Sequence, residues 1–325
     1  MKVEKTIDVT ALGELLIDFT ENGMSPQGNP LMEANPGGAP CNVLAILTGL
    51  GRKTAFICKV GDDMFGNQLA DTLVEVGIST AGLVKDKKVH TTLAFVHTFP
   101  DGDRDFSFYR NPGADVMLTK DEVNEELIRA SRVFHFGSLS MTHTDCCEAT
   151  KAALEIARDA GCIITFDPNL REPLWETLDD AKEAIAYGMS CCDVMKISDN
   201  EIIWFTGIED FDAGVAKLFE MYPNIKLILL SMGRDGSSAY MDGIKVTVPP
   251  FLQENTIETT GAGDTFCGSV INGILNYGLD NLDEEKLRSI LTFANAGASL
   301  ITTRKGALRV MPGREEIEEL VKSRA

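Results

Sequence analysis

Near-continuous apolar runs alternate with amphipathic 3.6-residue patterns along most of the chain. The runs at 7–16, 54–60, 132–136, 162–166, 194–197 and 227–231 read as strands. The patterns at 38–50, 65–76, 145–160, 180–189 and 213–221 read as helices between them. Strands that are apolar on both faces and separated by helices predict an α/β fold, a doubly wound and mostly parallel sheet covered on both sides. The last third is mostly helical, with patterns at 264–277, 283–302 and 314–322.

Two regions break the alternation. Residues 91–98 and 105–110 alternate β-formers on either side of Pro100-Asp101-Gly102-Asp103, which predicts a hairpin. Residues 19–34 are polar and turn-rich. Together they predict a small β-sheet lid built from about residues 14–36 and 90–112. A second hairpin is expected over 238–248, around Asp242-Gly243. No linker, repeat or low-complexity segment interrupts the 325 residues, so one large domain is expected.

The formal charge of −19 argues against electrostatic binding to nucleic acid or to an anionic membrane. It leaves room for one anionic ligand held by backbone N–H groups. The eight cysteines form no C-x-x-C pair, which gives little support to zinc or a disulfide framework and points to reduced thiols in a cytoplasmic protein. The first residues lack an apolar signal core, and no apolar run has the ~18 residues of a membrane helix.

The strongest local signal is Thr259-Thr260-Gly261-Ala262-Gly263-Asp264. Its glycines let backbone approach a ligand, and the helix that follows presents N–H groups and a positive dipole end suited to phosphate. Taken alone, Asp264 reads equally as an N-cap. A second signal is Asn35-Pro36-Gly37-Gly38-Ala39-Pro40-Cys41-Asn42, where Asn42 falls one turn into a helix and its amide could read hydroxyls. Upstream, Asp18 leaves a carboxylate that could accept from two vicinal hydroxyls. The chain has neither a P-loop nor a G-x-G-x-x-G dinucleotide motif.

Gly37-Gly38-Ala39-x-x-Asn42, Lys59-Val60-Gly61-Asp62-Asp63-x-Phe65-Gly66 and Thr259-Thr260-Gly261-Ala262-Gly263-Asp264 together resemble the two signatures of the ribokinase-like (PfkB-type) carbohydrate kinases, in family order. The resemblance implies an ATP-dependent sugar kinase with a large α/β domain and a lid over the sugar. Asp264 would be the general base, and in the turn of Gly261, Ala262 and Gly263 the N–H groups of Ala262, Gly263 and Asp264 would form the anion hole for the transferred phosphoryl group. Asp18, Gly37, Gly38 and Asn42 would hold the sugar. Glu201, in Ser198-Asp199-Asn200-Glu201, would act through water on Mg²⁺. Ser231, Gly233 and Gly236 would lie beside ATP, Asn295 against the adenine and Lys196 near the phosphates. A monovalent cation site, with K⁺ as the expected ion, would use Glu258 where the family usually has Asp, with backbone carbonyls around Thr260, Ile301, Arg304 and Gly306. The family also suggests a homodimer formed through a lid edge strand.

Two segments bear on the sugar. Arg110-Asn111-Pro112-Gly113-Ala114-Asp115 resembles a segment of bacterial fructokinases, and Asp167-Pro168-Asn169-Leu170-Arg171 a segment shared with 2-keto-3-deoxygluconate kinases. Arg110, Asn169 and Arg171 are thus candidate substrate contacts. Two arginines could equally grip a substrate carboxylate, which keeps the acid sugar open. Fructose is the expected substrate. Aminoimidazole riboside and, further off, ribose remain alternatives, as does a non-catalytic sugar sensor of another class.

Overall fold

The computed structural model describes residues 4–98 and 104–324. The chain begins with β1 (Ile7–Leu12), β2 (Leu16–Met24), β3 (Pro30–Gly37), α1 (Ala39–Gly49), β4 (Thr54–Gly61), α2 (Met64–Val76) and β5 (Ser79–Asp86). It continues through β6 (Leu93–Thr98), β7 (Arg104–Tyr109), α3 (Glu125–Arg129), β8 (Ser131–Gly137), α4 (Thr144–Asp159) and β9 (Ile163–Asp167). Then come α5 (Leu178–Cys191), β10 (Val194–Ser198), α6 (Asp199–Thr206), α7 (Phe211–Met221), β11 (Leu227–Ser231), β12 (Ser237–Met241) and β13 (Ile244–Val248). Three helices follow: α8 (Ala262–Tyr277), α9 (Glu284–Ile301) and α10 (Arg314–Ser323).

Nine strands form the main sheet in the order β13-β12-β11-β10-β9-β8-β1-β4-β5. Every pairing from β11 to β5 is parallel, and only the β11–β12 and β12–β13 pairings are antiparallel. Alternate residues of each strand face opposite layers, as a pleated strand requires. Phe134 and Phe136 of β8 join the core under α4 and α5, whereas Val133 faces the core made by α1, α2 and α8. A third core packs α8 and α9 against β11–β13. Among the described residues no helix is long and apolar enough to cross a membrane.

The second sheet has the order β3-β2-β6-β7. β2 pairs antiparallel with β3 and parallel with β6, and β6 pairs antiparallel with β7. The Pro100-Asp101-Gly102-Asp103 turn lies outside the described residues, while the strands flanking it pair as a hairpin. The β12–β13 hairpin turns at Asp242 (φ 44°) and Gly243 (φ 78°), two left-handed residues as a tight hairpin demands.

Three readings of the sequence need correction. Residues 7–16 are not one strand: β1 stops at Leu12, and the chain crosses at Gly13 to the second sheet, where β2 begins. Gly13 permits the crossing, because a Cβ there would meet Pro40 Cγ at 2.5 Å. The polar segment 19–34 is mostly strand, because β2 and β3 are largely exposed and carry polar residues on an open face. β5, α3 and α6 went unread. β5 is a partly exposed edge strand with a diluted apolar signal, and α3 and α6 have only five and eight residues.

Candidate active site

The parallel strands β1, β8, β9, β10 and β11 all end on one edge of the main sheet, and ligands of such sheets bind outside those ends. Here the edge opens into a cleft of about 510 Å³. The cleft is lined by Asp18, Gly38, Asn42, Asn169, Arg171 and Asp264 among others. A second cavity of about 420 Å³ continues from it beside Gly236, Phe251 and Asn295. The two share Ser231, Gly233, Thr259 and Gly263, so they meet at the glycine turn before α8.

That turn is set by Gly261, the N-cap of α8, at φ 76°. Ala262 N–H donates back to Thr259 O (3.2 Å), and the helical ladder starts with Thr265 N–H on Gly261 O (2.8 Å). The Ala262 N–H therefore has an intrachain acceptor, which corrects the picture of three equivalent anion-hole donors. A Cβ at Gly263 would come within 3.3 Å of Lys196 Nζ, so backbone and ammonium converge there.

Asp264 sits in the first turn of α8 and is not the cap; Gly261 is. Asn42 Nδ2 donates to Asp264 Oδ2 at 2.8 Å. Burial pushes the Asp264 carboxyl up, against the Asn42 donor and the charges of Lys196 and Arg171. Asn42 thus orients the carboxylate, while its own buried Oδ1 has no hydrogen-bond partner among the described residues. Only that oxygen remains to accept from a ligand hydroxyl.

Asp18 projects from β2, and burial pushes its carboxyl up to about 7 while Arg171 opposes the shift. Its neighbours have to be glycine. A Cβ on Gly37 would lie 2.4 Å from Asp18 Oδ2, and one on Gly38 (φ 134°) would lie 2.3 Å from Glu14 O. Glu14 accepts the Ala39 N–H (2.8 Å) at the start of α1, and burial pushes it to about 7 as well. It lines the cleft, and only its place inside the Gly13–Asp18 segment could have flagged it.

The two arginines differ. Arg110 is buried: Nε and Nη2 donate to Asp115 Oδ2 (2.9 and 2.6 Å), Nη2 also to Leu139 O, and Nη1 to Thr142 Oγ1. It reaches the cleft as a strut, with most of its donors spent inside the protein. Arg171 is exposed, and among the described residues its Nη1 donates to its own neighbour, Leu170 O. Asn169, at φ 45°, places its backbone N–H on Asp167 Oδ1 (3.2 Å).

Deeper in the cleft Lys196 Nζ pairs with Asp167 Oδ2 at 3.0 Å. Burial works against the ammonium, and the carboxylates of Asp167 and Glu201 override it and hold Lys196 charged. Asp167 went unread as a site residue, although it opens the quoted Asp-Pro-Asn segment. Glu201 closes a capping box on Ser198: Oε2 accepts from Ser198 N–H and Oγ, and Oε1 from Leu170 N–H, each at 2.8 Å. Burial opposes its charge, but Lys196 and these donors keep the carboxyl below its usual range.

In the second cavity Gly236 (φ 90°) allows a close pass, since a Cβ would lie 2.2 Å from Val248 O. Asn295 departs from expectation. Its Oδ1 accepts from Ser237 Oγ, and its Nδ2 donates to Val248 O and Pro249 O. That amide ties the edge hairpin to α9 and has no donor left for a base.

Around the proposed cation position, Glu258 Oε1 accepts the Gly306 N–H at 2.7 Å. Ile257 and Glu258 N–H groups both donate to Thr302 O. Glu258, Thr260 and Gly306 line the cleft. Ile301 O accepts from Arg304 N–H (3.1 Å), and the Arg304 side chain turns away to Val310 O and Glu316.

Comparison with known proteins agrees with this geometry. Residues 6–314 match the pfkB family carbohydrate kinase model. The chain is 41% identical over 319 residues to fructokinase-2 of Solanum lycopersicum, covering 98% of this chain and 97% of that one. It is 41% identical over 316 residues to fructokinase-1 of Zea mays, covering 96% and 97%. Among solved structures, the fructokinase of Xylella fastidiosa with bound ATP superposes with a TM-score of 0.89 at 30% identity, covering 99% of both chains. With both signature turns built around one cleft and the match running through nearly the whole chain, this protein belongs to the pfkB family of carbohydrate kinases.

Proposed function

We propose that the chain transfers the γ-phosphoryl group of ATP to the primary hydroxyl of D-fructose, giving D-fructose 6-phosphate and ADP. The observation that carries this reading is the half-buried Asp264, oriented by Asn42 at the start of α8, where the two halves of the cleft meet. Fructose as the acceptor is supported by the two fructokinases at 41% identity.

In this reading Asp264 accepts the hydroxyl proton as the sugar oxygen attacks phosphorus. A carboxyl raised by burial is a stronger base once ionised, and the nearby charges of Lys196 and Arg171 keep the ionised form accessible. The backbone N–H groups of Gly263 and Asp264 at the start of α8 and the Lys196 ammonium would face the growing negative charge, which is stabilisation by preorganised dipoles. Asp18 and the free Oδ1 of Asn42 accept sugar hydroxyls, and Gly37 and Gly38 let the ring approach.

A nucleotide-borne Mg²⁺ fits the donor set. Glu201 is ionised, its oxygens are fixed by backbone donors, and it lines the cleft. It would hold the ion through water, as Mg²⁺ commonly keeps several waters beside one or two carboxylates. When bound, the ion supplies charge neutralisation on the phosphates. Potassium fits less fully, because one oxygen of Glu258 is already taken by Gly306 N–H.

The small sheet would act as the lid of a single kinase domain. Its exposed Met24, Leu31 and Met32 near the β3 edge suit a homodimer through the lid, testable by sedimentation. All eight cysteines are free thiols, six of them buried, which suits the reducing cytoplasm.

The test is ADP release with fructose, 2-keto-3-deoxygluconate, ribose and aminoimidazole riboside. Fructose is expected to give the highest kcat/KM. A higher value for the acid sugar would reassign the substrate, and no ADP release with any sugar would leave a sensor.

A further inference from the structure

The segment Lys59-Val60-Gly61-Asp62-Asp63-Met64-Phe65-Gly66 helped identify the family, yet none of its residues lines the cleft. Lys59 is held by Asp86 and Glu122, while the contacts of the segment's Gly61–Gly66 part run to the small sheet and to the chain entering it. Asp63, the N-cap of α2, accepts the Gly66 N–H on Oδ1 at 2.8 Å. The same carboxylate accepts the Thr91 hydroxyl on Oδ1 (2.8 Å) and the Thr91 N–H on Oδ2 (2.9 Å). Thr91 Oγ1 in turn accepts the Gly61 N–H at 3.0 Å. Thr91 stands two residues before β6, where the chain leaves the main sheet for the small one.

The packing leaves no slack. A Cβ on Gly66 would lie 1.9 Å from Gly61 O, and one on Gly61 would lie 2.3 Å from Asp63 Oδ2 and 2.5 Å from Thr91 N. The first turns of α2 then touch two more strands of the small sheet. The Phe65 ring meets Phe19 of β2 edge-on, with centroids 5.5 Å apart, and Gln68 Nε2 donates to Ala34 O of β3 at 3.2 Å. Phe19 stacks in turn on Phe95 of β6 at 4.9 Å. The next residue, Thr92, donates its hydroxyl to Asp115 Oδ1 at 2.5 Å, and Asp115 holds Arg110, which reaches the cleft. Donors from Thr91 and Gly66 outweigh burial and keep the Asp63 carboxyl below its usual range.

We propose that Asp63 is a positioning residue: through Thr91 it seats the small sheet on the start of α2 and so sets where Asp18 and the Arg110 strut stand over the sugar. The inference rests on the kinase reading above for its kinetic readout. The nucleotide half of the cleft is built from β11, the α8 turn and α9, none of which this seat touches. The seat therefore bears on one substrate and not on the other.

The test uses the full chain with Asp63→Asn, Thr91→Val and Thr91→Ser. Asn can still cap α2, but it sets an amide where the carboxylate now takes the Thr91 N–H. KM for fructose is expected to rise about tenfold in Asp63→Asn, the size of one lost hydrogen bond to a charged group. KM for ATP is expected to stay within about twofold of the parent, as additivity allows for distant sites. Thr91→Val should show part of the rise and Thr91→Ser should restore the parent value. Amide exchange should speed up in β6 and β2 but not in β10 and β11. An unchanged fructose KM with unchanged exchange in β6 overturns the proposal, as does a parallel rise in both KM values. If Asp63→Asn does not fold, the Thr91 pair decides by the same criteria. If the parent protein leaves fructose unphosphorylated, the function reading falls while the exchange experiment still reads the seat.

Discussion

The two ends of the cleft are built on opposite principles. At the sugar end, side chains do the work: the buried Glu14 and half-buried Asp18 carboxyls are both pushed up to about 7, and glycines are required because any Cβ would strike Asp18 or the Glu14 carbonyl. At the nucleotide end, backbone turns at Gly233 and Gly236 border open volume, and the polar side chain expected to read the base, Asn295, is spent on holding the edge hairpin. A site that must count hydroxyls needs fixed, desolvated acceptors. A site that must cradle a long charged ligand can rely on N–H groups and shape.

The sharpest way to break this comparison lies where the ends meet. Asp264→Asn is expected to lower kcat by about 10²–10⁴-fold, the usual cost of a lost general base. Because Gly261 is the cap of α8, stability should hardly change, and ATP affinity should stay within a few-fold. Near-normal kcat at a normal melting temperature would remove Asp264 from the chemistry.

Asp18 tests the sugar end. In the proposed function its ionised form accepts the sugar hydroxyls, so kcat/KM for fructose should rise with pH through about 7. Asp18→Asn should lower kcat/KM by roughly tenfold or more, as when a buried polar group loses its match, and should flatten that rise. Stability should move the other way. A carboxyl raised from 3.8 to about 7 contributes stability that is full below 3.8 and lost as pH climbs through 7. The variant should therefore melt higher than the parent at pH 8. A variant less stable than the parent at that pH would mean that Asp18 is not a strained charge.

Asn295 tests the nucleotide end. Asn295→Ala breaks three hydrogen bonds, to Ser237, Val248 and Pro249. Leaving such groups buried and unpaired costs about 1–3 kcal/mol, so the melting temperature should fall while KM for ATP changes less than about threefold. A tenfold rise in that KM with unchanged melting would restore the adenine-reading role.

The same contrast explains what could be read from the sequence. Gly261 and Gly38 were legible because a glycine turn before a helix is local chemistry, visible in six residues, whereas Asp264, which that chemistry reads equally as a cap, was singled out only by the family resemblance. The parallel sheet was legible because strands buried on both faces are apolar throughout. Asn295 and Arg110 line the cavities as expected, but the sequence did not show how far their polar groups are spent, because Ser237 and Val248 for one and Leu139 and Thr142 for the other lie 29 to 58 residues away, even though Asp115 stands only five residues from Arg110. Asn42 lines the cleft as expected, and pairing with Asp264 across 222 residues takes one of its two amide N–H donors. β5 escaped because an exposed strand needs few apolar residues, and for the same reason the lid stretch 14–36 was read as sheet without its two strands being placed.

The smallest effect is expected at Glu258, between the two ends. The turn bearing Gly261 is already tied down without any cation, since Glu258 Oε1 accepts from Gly306 and the Ile257 and Glu258 N–H groups donate to Thr302. A monovalent cation on the remaining Glu258 oxygen and nearby carbonyls would tighten a loop that is mostly fixed. The gain should therefore be a few-fold in kcat, about 1 kcal/mol or less. Rates in potassium and in tetramethylammonium at equal ionic strength measure it. Glu258→Gln keeps an acceptor for Gly306 and removes the charge, so it should abolish the difference between the two salts. Equal rates for the parent protein would mean that the loop needs no ion. A difference that survives in Glu258→Gln would place the ion elsewhere.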